Sequence, residues 1–473
     1  MSQPAAARPK SILRGHRAQV HVTAFVRQNQ RLASGDADGF VVLWDLTIMR
    51  PRAVWRAHTN AILGISGWGD DKVITEGRDN RLVVWKITAH DEAALSTALP
   101  LDDSVLERPQ PWILHILEIN TMNFCSFAPC AARPDIDPAI SEELLVAVPN
   151  TFATEAVDIY HLPSQNRQGT VHLGSKTEQK GMVMALSLFW LCGSLFLVAG
   201  YENGLAVVAR RRRGGSWDIL YKHQAHKQPV LSLDVAPDGA YFLTSGADAI
   251  ITKHPIPNTD PARPSDPVAA RTVSSGTGID SDDVEGGQKQ EPPGTNSSML
   301  SASLASASTS SSGTQPTRGL PKKVTKVEAG EPLKTINTKH SGQQGLRIRS
   351  DGRIFATAGW DAKIRVYSAK TMAELAVLKW HDVGCYAVAF AVLGSGQKDA
   401  FTETKDDTQK SANEVQPEAM GNSVAANLKE MDMATAVNMR ELSVKDKRIQ
   451  MAKETHWLAA GSKDGKISLW DIY

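Results

Sequence analysis

An all-β, seven-bladed WD-repeat β-propeller, closed by an N-terminal strand and carrying two long low-order insertions, is the fold the sequence predicts. Three observations predict it. A unit that runs from a His, through short apolar alternations, to a polar turn and an aromatic recurs along the 473 residues. In four copies the turn Asp and the aromatic stand six apart: Asp38 and Trp44, Asp79 and Trp85, Asp361 and Tyr367, Asp464 and Trp470. The last copy ends at Trp470-Asp471-Ile472-Tyr473, one strand short, while Ser11-Ile12-Leu13 precedes the first copy unassigned. Repeats of this period stack as four-stranded blades around an axis, and pairing the two chain ends removes the free edge.

The first copy runs Gly15-His16, then Val20, Val22 and Ala24, then Leu32-Ala33-Ser34-Gly35, a turn at Asp38-Gly39, and Phe40 to Trp44-Asp45. The second runs from Ala57-His58 through Ile62, Leu63 and Ile65 to Glu76-Gly77, turns at Asp79-Asn80 and ends at Val83-Val84-Trp85. Six residues beyond a β-turn is the far end of the next strand, where an aromatic packs on its blade. The third copy is the weakest, with Asn123 to Phe127, Leu144 to Val148 and Asp158-Ile159-Tyr160. In the fourth, Asn203 replaces the turn Asp; in the fifth, Asp248 precedes His254 instead of Trp. Blades thus open near His16, His58, Asn120, Lys180, His226, His340 and His381. From Gly181 to Tyr201 no residue is charged, but Cys192-Gly193-Ser194 interrupts the run. Two buried strands joined by a tight turn are expected there, not a membrane span.

Two segments fall outside the repeat. Residues 257–330 are rich in Ser, Gly, Pro and Thr, a composition that cannot bury a core. Residues 394–454 begin polar and turn rich in Ala, Met, Leu, Lys and Glu from 425 onward, so a helix is expected in part. The organisation read from this is blades 1–5 in 1–256, with the N-terminal strand completing blade 7. The insert 257–330 follows. Residues 331–393 finish blade 5, form blade 6 and start blade 7; after the insert 394–454, residues 455–473 end blade 7. Without the inserts roughly 340 residues remain, about 48 per blade.

Lys plus Arg is 52 and Asp plus Glu is 51, a formal net charge of +1, so no global field attracts nucleic acid or an anionic membrane. The four cysteines form no CxxC pair and no disulfide framework, and a reducing compartment fits. Residues 1–10 have no apolar core and are not expected to be a secretory signal. No phosphate-binding loop, zinc-protease helix, nucleophile elbow or kinase set is present, so no catalytic residue, cofactor, metal or small-molecule substrate is expected.

The repeated His and Asp residues are read as structural pairs within blades: His16 with Asp38, His58 with Asp79, His226 with Asp248 and His340 with Asp361. The residue before each turn Asp sits on a rim and points at a partner; Ala37, Arg78, Glu202, Ala247, Trp360 and Lys463 hold these places. Arg and Trp are enriched in interface hot spots, which selects Arg78 and Trp360, with Trp380 beside His381 and the charged Glu202 and Lys463 as further contacts. The run Arg210-Arg211-Arg212-Arg213 is read as a solvated loop in preference to an import or nucleic-acid patch. Ser281-Asp282-Asp283-Val284-Glu285 has the form of an acidic-directed phosphorylation site.

Several stretches are more specific than a generic repeat. Phe355-Ala356-Thr357-Ala358-Gly359-Trp360-Asp361, Lys363 to Tyr367, Trp380-His381, Gly384 to Phe390, Asn120 to Cys125, Glu155 to Gln165 and Leu458 to Tyr473 resemble the fungal ASTRA-associated protein 1 family. That family is itself related to guanine nucleotide-binding protein β-subunit-like proteins. The resemblance spans the blades and leaves out both inserts. It implies a nuclear, non-catalytic subunit of the ASTRA assembly, linked to chromatin remodelling. The implied partners are the telomere-maintenance (Tel2-type) scaffold with its interactors, a PIKK-family protein and pontin/reptin-type AAA+ ATPases. Two other propeller classes fit the sequence less well. A substrate receptor of a cullin-type ubiquitin ligase usually carries WDxR, but Trp44-Asp45-Leu46-Thr47 and Trp470-Asp471-Ile472-Tyr473 lack the Arg. A Gβ-like signalling scaffold would need an N-terminal heptad helix.

Overall fold

A computed structural model describes residues 7–101, 108–120, 124–137, 140–174, 178–257, 330–393 and 443–472. These form seven four-stranded antiparallel sheets, six of them meanders of consecutive strands and the seventh completed by the first strand of the chain. Blade 1 is Val20–Val26, Arg31–Asp36, Phe40–Asp45 and Arg50–Arg56, and blade 2 is Ile62–Trp68, Lys72–Gly77, Arg81–Lys86 and Trp112–Glu118. Blade 3 comprises Ala128–Ala131, Leu144–Pro149, Ala156–Leu162 and Asn166–His172; blade 4 comprises Val183–Leu191, Ser194–Tyr201, Leu205–Arg211 and Trp217–Gln224. Blade 5 is Val230–Val235, Tyr241–Gly246, Ile250–Pro255 and Lys334–Asn337, and blade 6 is Gln343–Ile348, Ile354–Gly359, Lys363–Ser368 and Glu374–Lys379. Blade 7 takes Cys385–Phe390, Trp457–Ser462 and Ile467–Asp471 from the C-terminal side and Ser11–Leu13 from the N-terminal side. Ile12 pairs with Ser468 and Leu13 with Ile467, so the ring closes where the short last copy required it.

Apolar residues collect at the seams between blades, not at a single centre. One cluster spans blades 1 and 2 (Val41, Trp55, Ile62, Trp85), and each later pair of neighbours has its own. The seventh joins blade 7 to blade 1 and includes Leu13 of the closing strand. Middle strands are therefore buried on both faces, as the unbroken burial of Leu144–Pro149 and Tyr241–Gly246 shows. Such strands lose the polar–apolar alternation that marks a half-exposed sheet.

The uncharged run at 181–201 forms two strands of blade 4, joined by a tight turn in which Cys192 and Gly193 both have positive φ. Two placements differ from the sequence reading. The described part of 123–127 has no regular secondary structure; the first strand of blade 3 starts at Ala128. Phe124 there has φ +58°, and the Phe127 N–H goes to the Glu76 carboxylate of blade 2, so the segment cannot continue a ladder. Of the arginine run, Arg210 and Arg211 end a strand, and only Arg212 and Arg213 lie in the loop, where Arg212 pairs with Asp218. Within 394–454 the described residues contain helix α1, Val444–Glu454, capped by the Ser443 side chain and held at its C-terminal end by Asn29 of blade 1. Residues 394–442, most of 257–330 including the Ser281 motif, and Asn123 lie outside the described residues.

Candidate functional site

In each blade the turn between second and third strands shares one end of the ring with the link to the next blade; this end is called the upper face. Its turns carry the His–Asp pairs. In blade 2 His58 Nδ1 donates to Asp79 Oδ1 at 2.8 Å, and His58 Nε2 and Trp85 Nε1 each meet Thr75 Oγ1 at 2.8 Å. Blade 5 repeats the relay with His254 in place of Trp: His226 with Asp248 at 2.9 Å, Thr244 between the two imidazoles, and the Tyr221 hydroxyl on His254. Burial is the largest single influence on the Asp79 and Asp248 carboxyls and pushes both up, but the His hydrogen bond and charge together with the backbone amides hold both below the ordinary value. Burial drives His254 well below its ordinary value, so it is neutral.

Two of the four expected pairs are corrected. His16 Nδ1 meets Asp36 Oδ2 at 2.7 Å, not Asp38, which is exposed. Asp36 ends its strand fully buried and also accepts from the Asp38 and Phe40 amides, so it does the work of the turn carboxylate two residues early. His340 lies 3.6 Å from Asp361 and is half-exposed. In blade 6 Gln343 takes the inner place, accepting from Thr357 at 2.7 Å, while Asp361 receives Arg365 through two bonds of 3.1 and 2.6 Å. In blade 7 Asp464 binds Lys466 at 2.6 Å, and His381 and Trp470 share Ser468 Oγ.

The turns also lock neighbours together. A Cβ on Gly39 would stand 2.0 Å from the carbonyl oxygen of His58, and one on Gly465 2.2 Å from that of His16, the latter across the closure seam. Both glycines have left-handed φ, so no other residue fits without moving a blade.

Of the sequence-selected contacts on this fixed rim, Trp360 lines the channel and Arg78 reaches a channel-lining residue, Phe124. Trp360 is 48 % exposed, and its ring lies against the bare backbone of Gly342, with Nε1 donating to Gln344 Oε1 at 2.7 Å. The Arg78 guanidinium sits 4.1 Å over the ring of Phe124, which is 56 % exposed. Phe124 and Trp360 both line the channel formed by the first strands of the blades, a cavity of about 690 Å³. Phe152, 95 % exposed, stands on the upper turn of blade 3. Glu202 is exposed and accepts from the Met182 amide at 3.2 Å. Lys463 is exposed, and Trp380 is half-buried edge-on to His381 and under Lys466. Glu202, Lys463 and Trp380 do not line the channel. Sequence reasoning passed over Phe124, His21, Tyr386 and Arg347 as functional residues. Phe124 carried a usable signal, a bulky apolar residue in the polar link between blades.

Seven four-stranded blades, with His-centred polar relays in blades 1, 2, 5 and 7 and rim turns fixed against their neighbours, define a WD-repeat propeller. A search of solved structures finds the same fold in the Cps50 (Swd1) β-propeller domain of Myceliophteria thermophila, with TM-score 0.53 at 12 % identity, covering 98 % of this chain and 99 % of that one. The family model of ASTRA-associated protein 1 matches residues 9–470. ASTRA-associated protein 1 of Pyricularia oryzae is 50 % identical across 100 % of this chain and 98 % of its own length. The protein of that name from Verticillium alfalfae is 47 % identical, covering 100 % and 94 %, and that of Schizosaccharomyces pombe 30 %, covering 81 % and 93 %. The chain belongs to the ASTRA-associated protein 1 family.

Proposed function

We propose that this chain is a non-catalytic scaffold of the ASTRA assembly that docks a protein partner on its upper face. The observation that carries the reading is the pair of exposed, pinned aromatic groups at the channel mouth, Trp360 on Gly342 and Phe124 under Arg78. Rigid aromatic and Arg anchors lose little entropy on binding and dominate protein interfaces. The family name supplies the assembly. The partners proposed are the Tel2-type scaffold with its interactors, a PIKK-family protein and pontin/reptin-type AAA+ ATPases, in the nucleus and in chromatin remodelling.

Affinity purification with mass spectrometry tests this. The tag belongs within 258–329, because Ser11–Leu13 is a structural strand and a terminal tag disturbs closure. Wild-type protein is expected to recover the Tel2-type scaffold and a PIKK, and the double variant Arg78→Glu, Trp360→Ala to recover at least tenfold less at an unchanged unfolding midpoint. Undiminished recovery removes the rim assignment. Recovery of a cullin adaptor in their place replaces the reading, and imaging of the same tagged protein tests the nuclear assignment.

A further inference from the structure

Below the aromatic mouth the channel contains a cation that the docking reading does not use. Arg347 lies on the first strand of blade 6, three residues beyond Gln344, or about 10 Å further down the channel. Its Nη1 donates to the Leu346 carbonyl at 2.7 Å and to Ser232 Oγ at 3.3 Å; among the described residues it forms no ion pair and no other hydrogen bond. The carboxylate that feels it, Asp234, is turned to the backbone, accepting from the Ile348 amide at 2.7 Å and the Val235 amide at 3.1 Å.

Among the described residues lining the channel, Arg347 alone carries a formal charge at neutral pH. His21, edge-on to Tyr386 at 6.0 Å, is held below its ordinary value by burial and is neutral. Arg347 is itself exposed, near the lower end of its strand, so an anion can reach it from solvent, and no like-charged or competing side chain among the described lining residues stands beside it. One cation matches a monoanion; the Ser232 hydroxyl is buried, donates to the Leu346 carbonyl at 3.4 Å and accepts from the Leu346 amide at 3.2 Å, so it steadies Arg347 and is not a second donor to the ligand. A phosphate dianion or a nucleic-acid backbone would call for more positive charge than the channel offers.

We propose that the channel binds an extended partner segment through a carboxylate, which Arg347 receives, while Trp360, Phe124 and Tyr386 take apolar side chains flanking it. This rests on the reading of the upper face as the docking face and adds the chemistry of what docks there: an acidic residue set between apolar ones. The volume of about 690 Å³ falls within the range of sites that bury a ligand of a few residues.

The test is selection of displayed random dodecapeptides on the full-length protein, counter-selected on Arg347→Gln. Selected peptides are expected to share an Asp or Glu flanked by apolar or aromatic residues. Synthesised and measured by fluorescence anisotropy, they should lose at least tenfold in affinity on Arg347→Gln. They should lose the same on replacement of their own acid by its amide, a change that leaves the protein untouched. Arg347→Lys should recover part of the loss. Peptides without a common acid, peptides that bind Arg347→Gln equally, selection of phosphopeptide mimics requiring several acids, or absence of any Arg347-dependent binder each overturn the proposal. Failure here with rim variants still losing ASTRA subunits refutes the channel chemistry alone; acid-dependent peptide binding with unaffected subunit recovery refutes the docking reading alone.

Discussion

Replacing Glu76 by Gln should change how stability depends on pH, in a direction set by one buried carboxyl. Glu76 is fully buried in the second strand of blade 2; its Oε2 accepts from the Phe127 amide at 2.7 Å across the seam to blade 3, and its Oε1 has no partner among the described residues. Burial raises it from 4.5 to about 8, against the smaller opposing effect of the amide. Between those values the unfolded chain has released this proton while the folded protein keeps it. The unfolded state then binds fewer protons, so stability falls as pH rises. The slope approaches 1.4 kcal/mol per pH unit, or about 2–3 kcal/mol between pH 5 and 7. Gln keeps an acceptor for Phe127 and does not titrate. Denaturant midpoints taken from pH 5 to 8 should show the variant gaining on wild type by that amount. His381, lowered to about 4 by burial, and His254 remain neutral when folded and destabilise both proteins as pH falls below about 6.5, so they cancel in the difference. Parallel pH profiles with a constant offset would refute an acid held neutral at this seam.

The remaining predictions concern how the ring is held. Glu92 is buried and receives Arg31 through two bonds (3.2 and 3.0 Å), Arg52 at 3.1 Å, and Arg27, fastening the link 87–101 to the outer edge of blade 1. Glu92→Ala should cost about 3–5 kcal/mol by stranding partly buried arginines, read as a lower denaturant midpoint with faster amide exchange over 88–101. Deleting residues 1–14 removes the strand that pairs with Ile467–Asp471, the buried Leu13 and the 3.1 Å Lys10–Asp471 ion pair. Loss of the fully buried Leu13 alone is worth roughly 1.5–3 kcal/mol, and the partly buried Ile12 adds less. An unchanged melting temperature for that deletion would sink the closure scheme.

The blade number and the closing strand are legible because they follow from periodicity and from one missing strand, which no side-chain detail can alter. The pairing of His16 is not legible in the same way. Asp36 and Asp38 flank Ala37 in one turn, and the spacing to Trp44 selects Asp38, yet only the three-dimensional register shows Asp36 reaching the imidazole. His340 fails for a related reason: Gln343 can fill the inner place with an amide, and Arg365 then claims Asp361. Glu76 and Glu92 look like ordinary surface acids along the chain, because their burial depends on packing against another blade or a long link. Arg347 is hidden differently. An Arg in a strand is commonplace, and only closure of the ring turns its face of the strand into a channel wall.

Left-handed φ at the residue after the turn position (Gly39, Asn80, Gly204, Ala362 and Gly465) shows that one turn geometry recurs in five blades. At Gly39, Gly204 and Gly465 that turn touches the backbone of the next blade, so its shape is dictated by ring assembly. The side chain just before the turn Asp is under no such constraint. Ala37, Arg78, Glu202, Ala247, Trp360 and Lys463 occupy the equivalent place with unrelated chemistry, so the fold does not explain any of them. Backbone over-determined and side chain free is the condition under which selection can write a binding surface without disturbing stability. Trp360 satisfies it most fully. Its ring costs the propeller exposed apolar surface, and Gly342 and Gln344 both act to hold it in place. A side chain left exposed, with its orientation fixed by the fold, is what the proposed docking face requires of Trp360.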